Sequence, residues 1–319
     1  MTTFVRSISS SENYEYYGWS QGEFANINNL AGLRFDGTVV SWGHSANLPN
    51  DNSGFPISGI VKLYSHMQGY AGLKYDDSVV SWGQHYFDVE MPNDLGDVSK
   101  IYTTREAFAA LKHDGSVVTW GGAAIGENLG EDSSSVSSSL NGGVIEIVST
   151  YGAFAALKND GSVVTWGLDR DGGDSSAVSD QLSSGVNKIY STNYSFAALK
   201  NDGSVVTWGF DKKAGQIDYL WGPWTSNGEN GNSNILESDV SKVCTMSDGY
   251  FAAIKTDGSV VVWGWGAPGV WLETEDSDVI RFIDISDQLS SGVVNIFSTN
   301  TAAAALKSDG SVVTWGEKI

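Results

Sequence analysis

The sequence predicts an all-β fold, a seven-bladed β-propeller. Three observations carry that expectation: a strand–turn–strand signature, its recurrence seven times, and apolar residues on both faces of its strands. The signature is clearest in Phe196-Ala-Ala-Leu-Lys-Asn-Asp-Gly-Ser-Val-Val-Thr-Trp-Gly209. Phe196–Lys200 suits one strand and Ser204–Trp208 its return, because valine, threonine and tryptophan fit a pleated, half-buried surface. Asn201-Asp202-Gly203 supplies the turn, since these residues tolerate left-handed backbone angles. The three parts make a β-hairpin.

The closing tryptophans are Trp42, Trp82, Trp120, Trp166, Trp208, Trp263 and Trp315, spaced by 40, 38, 46, 42, 55 and 52 residues. A period of that size made of strands and turns marks a propeller or a solenoid. Such a repeat cannot bury its apolar surface alone and needs neighbours. In Phe196–Lys200 the pairs Ala197/Leu199 and Phe196/Ala198 point to opposite faces, and Val205/Val206 do the same. A sheet apolar on both faces is covered on both faces, as blades packed face to face are.

At these residues the chain resembles the propellers of the regulator-of-chromosome-condensation family. Their repeats carry a similar A-L-x-x-D-G-x-V-x-x-W-G core. It looks closest to bacterial members such as the type II β-lactamase inhibitory protein. The resemblance spans roughly residues 24–316. It implies the fold; for function it implies little, because members of the family differ in what they do and the motif is scaffold.

In chain order, residues 1–23 are atypical and hold a possible strand, Phe4–Ile8, and an aromatic group, Tyr14, Tyr16, Tyr17 and Trp19. The last repeat stops near its tryptophan, so residues 1–23 are expected to close the ring beside Ser311–Trp315. In repeat two Asp77 stands where Gly is usual, and Asp tolerates the left-handed angle. A short strand precedes each hairpin, as at Ile101-Tyr102 and Ile189-Tyr190, and a weaker fourth strand is expected after each tryptophan. The whole of 1–319 reads as one domain. Cys244 takes the position of Tyr102, Val148, Tyr190 and Phe297, which suits a small buried apolar residue.

The chain has 38 acidic and 18 basic residues, a net charge of −20. Seven basic and seven aspartate positions belong to the repeat and cancel, so the other 11 basic and 31 acidic residues carry the whole charge. A surface of that sign repels phosphate backbones, and no compensating basic stripe is visible, so nucleic acid is not an expected partner. No apolar run approaches a membrane span, so membrane insertion is not expected either. Residues 1–8 lack the apolar core of a secretory signal. Extracellular, cell-surface or virion association remains the expectation for localisation.

No catalytic motif appears: there is no H-E-x-x-H, P-loop, G-x-S-x-G or cysteine pair. The histidines His44, His66, His85 and His113 lack ligand spacing and read as surface loop residues. Asp169-Arg-Asp-Gly-Gly-Asp174 has the composition of a calcium loop without its late glutamate, and reads as a solvated turn. No cofactor or metal is expected. Two long inserts remain. Residues 210–239 hold Tyr219, Trp221 and Trp224; residues 265–288 hold Trp265 and Trp271. Loops on a rigid scaffold are where binding sits, and Trp and Tyr are efficient anchors. These five residues are the candidate partner site. The alternative is that they fold back over the blade edges. The hairpin turns, Asn159-Asp-Gly161 beside Asn201-Asp-Gly203, suggest a repeated polar rim with no distinctive feature. Function is therefore expected to be non-enzymatic protein binding, as an inhibitor, adhesin or surface or virion component; a glycan-binding propeller is the alternative, and an enzyme with a central-channel site is less favoured.

Overall fold

The computed structural model describes residues 5–9, 29–43, 57–67, 69–83, 90–122, 127–210, 220–221, 236–246, 250–264, 270–273, 280–283, 286–299 and 302–316. Among them the fold is all-β, with seven antiparallel sheets of one strand order, the blades of a β-propeller. Blade one is Val5–Ser9, Asn29–Arg34 and Val39–Gly43. Blade two is Ile60–Ser65, Gly69–Lys74 and Val79–Gly83. Blade three is Val98–Thr103, Ala107–Lys112 and Val117–Gly121. Blade four is Val144–Ser149, Ala153–Lys158 and Val163–Gly167. Blade five is Val186–Ser191, Ser195–Lys200 and Val205–Gly209. Blade six is Val240–Met246, Tyr250–Lys255 and Val260–Gly264. Blade seven is Val293–Ser298, Ala302–Lys307 and Val312–Gly316. The chain forms two compact units: Met1–Tyr16 with Gln21–Asp174, and Tyr17–Ser20 with Ser175–Ile319.

Every hairpin tip is built the same way. Asp202 accepts the backbone N–H and the hydroxyl of Ser204 at 2.9 and 2.6 Å, and the six sister turns repeat this pair of bonds. The next residue is left-handed in each, and Asp77 takes the place of glycine at φ 61° as expected. Tips also join neighbours: Ile60, Val98 and Val144 donate to Gly37, Asp77 and Gly115 of the preceding blade, and Val240 and Val293 to Gly203 and Gly258. The motif tryptophan is core. Its ring stacks on the aromatic opposite it in Tyr70/Trp82, Phe108/Trp120, Phe154/Trp166, Phe196/Trp208 and Phe251/Trp263, at 5.0–5.5 Å. Trp42, which faces Leu30, is the exception at 47% exposed.

Val5–Ser9 pairs with Asn29–Arg34 of its own repeat, from Val5↔Arg34 to Ser9↔Ala31, while residues 10–23 of the segment expected beside Ser311–Trp315 lie outside the described residues. The reason is in its pattern: Val5-x-x-Ile8 matches Val98-x-x-Ile101 and Val186-x-x-Ile189, and all three carry the same bulge after the valine. It is the first strand of blade one. A fourth strand, expected in every repeat, occurs among the described residues only on blade six, as Leu220–Trp221. Elsewhere the described stretches after the tryptophans coil into short helical turns such as Ser134–Leu140 and Ser286–Leu289. Ser-rich runs with few β-branched residues favour that outcome over an edge strand.

Candidate functional site

Both inserts contain paired strands, and one of them pairs with the scaffold. Leu220–Trp221 runs antiparallel to the third strand of blade six, with Leu220↔Trp263 and Trp221↔Val262 in register. Val270–Glu273 pairs with Ile280–Ile283 as a separate two-stranded ribbon, with Trp271↔Phe282 and Leu272↔Arg281. That ribbon runs close to Val312–Gly316 of blade seven. Trp221 and Trp271 are thus placed on strands within one unit. Tyr219, Trp224 and Trp265 lie outside the described residues.

The tips are not a uniform polar rim. The residue before the turn aspartate is Phe35, Tyr75 and His113 on blades one to three, but Asn159, Asn201, Thr256 and Ser308 on the rest. Phe35 is 73% and Tyr75 76% exposed. The Tyr75 ring lies over Gly59, where a Cβ would come within 2.7 Å of it. His113 Nε2 stands 3.2 Å from Asp77 Oδ2 and links tips two and three. The near identity of the Asn-Asp-Gly turns in blades four and five hides this difference.

At the opposite ends, tight turns join first and second strands. Thr104 and Thr150 accept N–H bonds from Ala107 and Ala153 at 3.1 Å through their hydroxyls. The same hydroxyls donate onward, Thr104 to Leu129 O at 2.7 Å and Thr150 to Asp171 O at 2.8 Å. Thr119 and Thr165 likewise donate to Glu131 O and Gly173 O. These matched bonds make Asp171 the counterpart of Leu129. A carboxylate therefore occupies an apolar position, and it is 1% exposed.

Neither oxygen of Asp171 has a hydrogen bond; Arg170 Nε is 3.7 Å away. Burial pushes its carboxyl up to about 6, against the pull of Arg170 and with a further push from Glu127. Glu106, in the turn of blade three, is also buried and is raised by that burial, with Arg105 opposing and Glu131 adding. Arg105 Nε lies 3.4 Å from Glu106 Oε1, and its guanidinium sits 5.0 Å from the Tyr151 ring. Asp169–Asp174 is accordingly not a solvated turn, because its middle aspartate is core. No group of three metal-ligating side chains occurs among the described residues.

His66 is not a surface residue either. It is buried, its ring centre lies 4.4 Å from that of Phe108, and loss of water lowers its pKa to about 3, so it is neutral. His44 and His85 lie outside the described residues. Cys244 is half-buried in the position expected, its thiol raised by burial. Among the described residues no helix is long and apolar enough to cross a membrane.

No protein-family model matches the chain, and no curated protein does. Solved structures do. The CRINKLY WD40 ectodomain of the Arabidopsis thaliana receptor kinase ACR4 is 16% identical over 91% of this chain and 93% of its own, with a TM-score of 0.38. Prp20p from Saccharomyces cerevisiae is 14% identical over 93% of this chain and 82% of its own, with a TM-score of 0.42. Human WBSCR16 is 15% identical over 99% of this chain and 78% of its own, with a TM-score of 0.38. At this distance they assign no function.

Proposed function

We propose that the chain is a non-enzymatic binding protein whose blades form a rigid scaffold for protein recognition, with the partner held by the inserts at 210–239 and 265–288. The observation that carries this reading is where the scaffold departs from its repeat. Both inserts follow motif tryptophans, and both contain paired strands, Leu220–Trp221 against blade six and the ribbon Val270–Ile283. Strand pairing fixes an insert at low entropic cost, as binding loops require. The candidate anchors are Tyr219, Trp221, Trp224, Trp265 and Trp271. The surplus of 31 acidic over 11 basic residues outside the repeat favours a partner of opposite charge.

The test is paired. The wild-type chain and a Trp221→Ala/Trp224→Ala/Trp271→Ala variant are immobilised and offered the same extract, and the captured protein is titrated against each. A partner bound at least tenfold more weakly by a variant of unchanged melting temperature supports the proposal, since an anchor is worth about 2 kcal/mol or more. Equal affinity with a lowered melting temperature means that the rings only cover blade edges. Capture of oligosaccharide on a glycan array, lost in the same variant, would establish the glycan-binding alternative.

A further inference from the structure

The first strands share a position that hairpin motifs do not reveal, because it follows the bulge. It is occupied by Ser7, Lys62, Lys100, Glu146, Lys188, Lys242 and Asn295 in blades one to seven. Four lysines at one repeat position are a basic row inside an acidic protein. Two residues further on stand Tyr64, Tyr102 and Tyr190, on the same side of the strand. The ammonium groups of Lys62, Lys100 and Lys188 sit over those rings at 4.9, 4.4 and 5.2 Å. An aromatic face attracts the cation and restricts its side chain without neutralising it.

All four lysines are exposed. Among the described residues the ion pairs are made by Arg105 and Arg170, and none by these lysines. In a chain with twice as many acidic as basic residues, carboxylates are plentiful, so this absence has a consequence: the row keeps its charge available. The lysines also come in neighbouring pairs. First strands of blades two and three lie against each other, as do those of blades five and six. Lys242 Nζ further donates to Asn295 Oδ1 of blade seven at 2.5 Å. Glu146 interrupts the row on blade four.

We propose that Lys62 with Lys100, and Lys188 with Lys242, each form a site for a small polyvalent anion bearing phosphate or carboxylate oxygens. The members of each pair hold the same register position on neighbouring first strands, and charge-assisted bonds to such oxygens are the strong ones. The size of the ligand follows from the rest of the surface. Beyond roughly 8–10 Å, a Debye length at physiological salt, the local pair is screened, and an extended polyanion meets the acidic surface instead. A small anion meets the lysines, with Glu146 on the strand next to Lys100 as the one carboxylate of the row.

The test titrates the full chain with inorganic pyrophosphate, and separately with citrate, by calorimetry at an ionic strength matched with sodium chloride. Binding of pyrophosphate is expected, and citrate binding shows that carboxylate oxygens suffice. Lys188→Gln/Lys242→Gln should lose one class of site, and Lys62→Gln/Lys100→Gln the other. The quadruple variant should bind at least tenfold more weakly while melting like the wild type in chloride alone, and Lys→Arg at the same positions should retain binding. The proposal is overturned if neither anion binds beyond the chloride control, or if the quadruple variant binds as the wild type does.

Discussion

Replacing Asp171 by asparagine should stabilise the protein at neutral pH, a direction opposite to most core substitutions. Asp171 is the buried counterpart of Leu129, and its carboxylate has no hydrogen bond. Its pKa rises from the ordinary 3.8 to about 6 on folding. A raised carboxyl pKa means that the unfolded chain gives up its proton first as pH rises. The charge therefore costs stability progressively between those two values and fully above the upper one. At 1.36 kcal/mol per pKa unit the cost is about 3 kcal/mol at most. Seven turn aspartates act in the opposite sense, because hydroxyl and backbone hydrogen bonds from Ser or Thr hold them below the usual range. Their contribution is lost as pH falls, so the wild-type curve alone cannot isolate Asp171. The difference between wild type and Asp171→Asn can. Urea unfolding followed by circular dichroism at about pH 8 and about pH 4 should show the variant more stable at the higher pH and nearly equal at the lower. Asp171→Leu should behave similarly and gain further from apolar packing. A variant less stable at both values, or a difference that does not change with pH, would refute the assignment of Asp171 as a buried charge that Arg170 only partly offsets.

Other expectations concern the scaffold. Trp208→Ala should cost roughly 3–5 kcal/mol, as truncation of a large buried aromatic does, whereas Trp42→Ala, at 47% exposure, should cost under about 2 kcal/mol; equal losses in urea unfolding would contradict the burial described. Gly167→Ala places a Cβ 2.5 Å from Gly152 O at φ +106°, so a loss of at least about 2 kcal/mol in melting or unfolding experiments is expected. Deleting residues 1–9 should lower the melting temperature by exposing the edge of Asn29–Arg34, and protection from hydrogen exchange should fall in that strand first.

Much of the fold was legible because its turn chemistry and strand chemistry agree. Asp-Gly-Ser requires one turn, Val-Val and Ala-Ala require burial on both faces, and repetition demands neighbours for each. The N-terminal strand carries a readable signal as well, since Val5 and Ile8 have the spacing of the other first strands. Where the stretch after a tryptophan is described, as at Ser134–Leu140, no outer strand forms because such a strand needs apolar alternation and this run has none. The site was less legible. Asp171 can be matched to Leu129 only through hydrogen bonds from Thr104 and Thr150, since the loops between them differ in length. The lysine row emerges only once each bulge fixes the register. Phe35 and Tyr75 were visible as letters but were read as part of a polar turn, and only their exposure distinguishes them.

The most direct test of insert-based recognition is hydrogen–deuterium exchange, read by mass spectrometry, on the chain alone and bound to its captured protein partner. Slowed exchange concentrated in peptides covering 210–239 and 265–288, with the tips at Phe35–Gly37 and Tyr75–Asp77 unchanged, is the predicted result. Protection confined to those tips, with the inserts exchanging as in the free chain, would contradict it.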